Sequence, residues 1–190
     1  MTPQTLILGP SGVQFPLGNP QPQHISMRHI ASVLSKLPAC GGLTRRFYSL
    51  AEHALVVSLT FERTIKMRRY LMWSLLHDAY FAYCPISPHY LVPPSAHKIT
   101  RETIQAMIYD KFKAGDTYAS DFQKVHEIVE SAELRELAIF RHEQVSTSAD
   151  FRFASALLSS RPASYNSADA ERDFYEFWRT HIPSSDSLYT

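Results

Sequence analysis

Apolar positions along this chain recur at helical spacing, and the elements they predict are separated by clear stop signals. Ile30, Val33, Leu34 and Leu37 form one stripe, opened by Ser26 as N-cap with Ile25 placed to pack back onto Ile30. Pro38 and the Gly41-Gly42 pair close it. Ser49 and Glu52 form an S-x-x-E capping box that opens a second helix through AEHALVVSLTF. A third helix, expected over 67–83, is nearly all apolar between Tyr70 and Leu76 and should be buried on most sides. It runs into a Pro-rich loop, CPISPHYLVPPSAHK. The spacing then continues through ITRETIQAMIYDKF, SDFQKVHEIVESAELRELAIFRHEQV, ADFRFASALLSS and ADAERDFYEFWRTHI. Residues 1–24, rich in Pro, Gly and Gln, read as an irregular or short-strand lead-in, and 183–190 as a flexible tail. No segment alternates convincingly as a strand, and nothing repeats. The expected class is all-α, a single domain over 1–190 with a compact array of about six or seven helices.

Composition narrows the function classes. With 190 residues, 45% of them hydrophobic and 12% aromatic, the chain is long enough to bury a full core of its own. The formal net charge is only +1, so the broad positive field that drives nonspecific nucleic-acid binding is missing. No apolar run approaches the ~18 residues of a membrane span, and the opening MTPQTLILGPSG lacks the basic start of a secretory leader. Cys40 and Cys84 fit neither a disulfide framework nor a C-x-x-C motif. The expectation is a protein of the cytoplasm with both thiols reduced and no membrane partner.

Several polar residues fall where the pattern predicts core. His53 shares a stripe with Leu50, Ala54 and Val57, and a histidine there needs a partner. His77 and Asp78 lie side by side toward the end of the most buried predicted helix, where an unpaired carboxylate is costly. On the helix from Asp121 to His142, His126, Glu130 and Glu133 fall at i, i+4 and i+7 and share a face. One histidine, an adjacent His-Asp pair and an acidic residue on a later helix form a donor set suited to one divalent cation.

These residues, in the contexts ISMRHIASVLS, GGLTRRFYSLAEHALVVS, LLHDAYFAY and SAELRELA, resemble the HD-domain metal-dependent phosphohydrolases. The similarity is greatest to the small group of bacterial 5'-deoxynucleotidases and phage deoxynucleotide triphosphohydrolases, dATP-cleaving ones among them. It runs from Ile25 to Ala138. The resemblance implies an ion, of Zn, Mn, Co, Mg or Fe, held by His53, His77, Asp78 and Glu133, where the family has aspartate in the last place. It implies hydrolysis of a nucleotide-like phosphate by metal-activated water with Asp78 as a catalytic residue. It also implies a homo-oligomer in the cytoplasm of a bacterial or phage-infected cell. Phe15 and Pro16 match the segment that approaches the base.

Other positions depart from the family. Phe81 stands where a proton-handling glutamate is usual, Pro85 or Ile86 where an aspartate is, Ala39 and Cys40 where an arginine and an aromatic grip phosphate and sugar, and Leu43 where a histidine is. Arg45, Arg46, His89 and Lys98 are the cations available to take over the substrate. Three readings follow: a phosphohydrolase with relocated helpers, a pseudoenzyme that binds a nucleotide or metal as sensor, sponge or partner subunit, and a purely structural His-Asp-His-Glu network.

Overall fold

A computed structural model describes residues 5–8, 12–16, 19–65, 71–83, 101–114, 119–137, 148–162 and 164–181. Seven α-helices are present among them: α1 (Met27–Leu34), α2 (Leu50–Ile65), α3 (Leu71–Leu75), α4 (Arg101–Lys111), α5 (Ala119–Glu136), α6 (Ala149–Ser160) and α7 (Ser167–His181). The all-α expectation holds. The lead-in takes its short-strand form, since β1 (Thr5–Leu8) pairs antiparallel with β2 (Val13–Pro16) in a small hairpin. None of the described helices is long and apolar enough to cross a membrane. The tail at 183–190, Lys98, His89, Cys84, residues 67–70 and the stretch expected to extend α5 to His142 lie outside the described residues.

Local chemistry explains the helix starts. Ser26 accepts from the backbone N–H of His29 to cap α1, and Ser49 accepts from the N–H of Glu52 to cap α2. The Glu52 carboxylate does not complete a capping box in the expected way. Its two oxygens take the guanidinium of Arg46 at 2.7 and 3.0 Å, a bidentate pair that ties the loop before α2 to its first turn.

Helix α2 is the centre of the molecule and packs against α3, α5, α6 and α7. Its Ala51, Ala54, Val56, Val57 and Phe61 are essentially fully buried. Helix α7 also packs on α1, where Phe174 and Trp178 join the core as their spacing predicts. Phe15 is fully buried too, with its ring centroid 4.9 Å from that of Tyr83. The segment expected to approach a nucleobase therefore puts its aromatic ring into the core.

The third helix ends earlier than its apolar run predicts. After Leu75 the chain turns through 76–78 and continues as one 3-10 turn, Ala79–Ala82. Nδ1 of His77 donates to the Ser74 carbonyl at 2.7 Å, occupying the acceptor that the Asp78 N–H takes in a continued α-helix. Gln105 of α4 then clamps the turn from outside, donating to the Leu76 carbonyl at 2.7 Å and accepting from the Tyr80 N–H at 3.1 Å.

Candidate metal centre

The turn after α3 brings His77 beside two other histidines. His53 comes from the buried stripe of α2, and His126 from the face of α5 that packs against α2. Nε2 of His53 lies 3.3 Å from Nε2 of His77 and 3.3 Å from Nε2 of His126. Donor atoms of all three lie within 4.8 Å of one another, so the trio can hold a metal ion. The Oδ2 atom of Asp78 is 3.4 Å from the same Nε2 of His77.

Each ring is turned by what its other nitrogen meets. His53 Nδ1 donates to Oε1 of Glu133 at 2.6 Å, His77 Nδ1 donates to the Ser74 carbonyl, and His126 Nδ1 faces Oε1 of Glu130 at 3.5 Å. Nε2 of His77 and Nε2 of His126 thereby both come to Nε2 of His53. Phe122 backs the trio with an apolar ring 5.1 Å from that of His77 and 5.4 Å from that of His126.

Glu133 is placed differently from the ligand position that the resemblance implies. Its carboxylate sits behind His53, on Nδ1, and is held there by two further donors. The Tyr48 hydroxyl, fully buried, donates to Oε1 at 2.5 Å, and the Cys40 thiol donates to Oε2 at 3.6 Å. The imidazole nearest the other two is instead that of His126, on the same face of α5. The i, i+4, i+7 pattern placed His126 on this face without singling it out.

The electrostatics follow from this packing. Burial works against a charge on His53, but the neighbouring Glu133 carboxylate, with Asp78 and Glu130 behind it, outweighs burial and pushes His53 up to about 9. His77 is displaced the other way: burial holds it down, and the neighbouring imidazoles of His53 and His126 add to this against the pull of Asp78. Burial, with Glu133 nearby, pushes the Cys40 thiol up to about 12, so it stays protonated and serves as a hydrogen-bond donor. His126 holds Glu130 below the usual carboxylate range.

His53 and His126 open into a cleft of about 490 Å³ whose lining also includes Asp78 and Glu130, with Tyr80 and Phe81 as an aromatic wall. Neither Arg45 nor Arg46 lines it. Arg46 is committed to Glu52 and lies over the Tyr48 ring, while the Arg45 backbone N–H donates to the Leu137 carbonyl. Among the described residues, a cation stacked on the aromatic wall is Arg101, at the start of α4, whose guanidinium lies 4.3 Å from the Tyr80 ring centroid and 5.6 Å from that of Phe81. No sequence signal marked it, because stacking on a ring from another element leaves no trace in local spacing. Compared with known proteins, the chain matches no family model and no curated protein.

Proposed function

We propose that this protein is a metal-dependent phosphohydrolase of the HD-domain type, acting on a nucleotide-like phosphate in the cleft above His53, His77, Asp78 and His126. Its support is one observation: three imidazole nitrogens converge beside a carboxylate at the base of an open cleft, with every ring oriented by a partner on its far nitrogen. A divalent ion, which His53, His77 and His126 would hold, would supply a Lewis acid for a phosphoryl oxygen and for a water. Asp78 sets a carboxylate oxygen at the edge of the trio, where it orients the attacking water and receives its proton. Phe81, in the cleft wall, gives a planar base an aromatic surface to lie against, and Phe122 keeps solvent from one side of the site.

A second reading is binding without turnover. Phe81, in the cleft wall, neither ionises nor hydrogen-bonds, so the proton-handling group that the family places there is gone. A phosphate-release screen over nucleoside mono- and triphosphates with Mn, Co, Mg and Zn separates the two. The hydrolase reading expects release that falls roughly a hundred- to a thousandfold in Asp78→Asn. Nucleotide-dependent thermal stabilisation with no release under any metal sinks it in favour of binding.

A further inference from the structure

We infer that the ion is held by three imidazoles, those of His53, His77 and His126, that it is of the zinc class rather than the magnesium class, and that Glu133 is a positioning residue behind His53. This deepens the reading above and rests on it only in that an ion binds.

Spacing is the first support. Two donors at about 2.0–2.1 Å from a tetrahedral zinc lie about 3.3 Å from each other, whereas neighbouring oxygens around an octahedral magnesium lie about 2.9 Å apart. Nε2 of His53 is 3.3 Å from both of its neighbours. Donor chemistry points the same way, since neutral imidazole suits zinc, cobalt, nickel and copper, while magnesium takes carboxylate and water oxygens. Three nitrogen donors leave a place for water or substrate, and Asp78 is the carboxylate beside it.

Glu133 is already engaged. Its Oε1 accepts from Tyr48 and from His53, and its Oε2 from Cys40. Swinging it onto an ion strips the acceptor from the buried Tyr48 hydroxyl and from His53 Nδ1, and a buried donor left unmatched is costly. Kept where it is, the carboxylate selects the tautomer and angle at which His53 presents Nε2, as carboxylates behind metal-binding histidines do.

The test uses the full chain stripped by chelator and titrated calorimetrically with zinc, cobalt and magnesium, with visible absorbance read for cobalt. One zinc per chain is expected, magnesium at least about a hundredfold weaker, and cobalt bands of four- or five-coordinate intensity. His126→Ala and His126→Gln should lose zinc affinity by at least about a hundredfold with circular dichroism unchanged. Glu133→Gln should still take up one zinc with affinity lowered about 10–100-fold. The assignment is overturned if Glu133→Gln abolishes binding while both His126 variants keep it, if magnesium binds as tightly as zinc, or if wild type takes up no ion. Zinc binding as described without phosphate release leaves this assignment standing and removes the hydrolase reading alone.

Discussion

His29 shows how much one side chain takes from its surroundings. It is fully buried on α1, with Nε2 3.0 Å from the Ala82 carbonyl and its ring 5.1 Å from that of Tyr83. Burial lowers its pKa below the ordinary 6.5, and the carbonyl only partly offsets this. Below that value the unfolded chain binds a proton that the folded protein resists. The neutral state of His29 therefore contributes stability that is fully present above about pH 6.5 and declines as the pH falls through it. Thermal melts from about pH 7 to pH 5 should show wild type losing more stability than His29→Gln, which retains a donor for Ala82 and does not titrate. Parallel curves for the two proteins disprove this.

At the scale of elements, the turn after α3 is the feature on which the site depends, and α4 holds it from outside. Gln105 joins the Leu76 carbonyl to the Tyr80 N–H across the His77-Asp78 pair, so its loss frees both ends of the turn. Gln105→Ala is expected to cost about 1–3 kcal/mol in urea unfolding, since two partly buried backbone groups lose their partner. It should also weaken zinc uptake, although Gln105 touches no imidazole, because the turn then samples more orientations of His77. An unchanged zinc affinity in a destabilised variant limits Gln105 to a role in folding. The helix expected to continue to residue 83 shows why this turn was not legible: an apolar run reports burial, and the bond from His77 to Ser74 interrupts the helix without altering hydrophobicity.

On the scale of the whole molecule, the loop before α2 is fastened by Arg46 and Glu52, whose side chains are 21% and 2% exposed. Removing the arginine leaves a buried carboxylate without its counterion. Arg46→Ala should cost about 2–3 kcal/mol after allowing for partial exposure of the pair, and Arg46→Met with Glu52→Gln should cost less than the single change. Equal loss in the two proteins sinks the ion-pair account. In this arrangement Arg46 is engaged by Glu52, and neither it nor Arg45 lines the cleft.

The division between sequence and tertiary structure follows the range of the forces involved. Helical spacing, the Ser26 and Ser49 caps, the burial of Phe174 and Trp178 and the adjacency of His77 to Asp78 are local, acting within a turn or two of chain, and the sequence alone determined them. A shared face on α5 was equally legible. Which of His126, Glu130 and Glu133 meets the other two histidines depends on how α5 is rotated against α2 and on where Tyr48 and Cys40 hold Glu133. Those contacts join residues 73 to 93 positions apart, so no local pattern encodes them, and only the packed structure decided which of the three lies beside the other histidines.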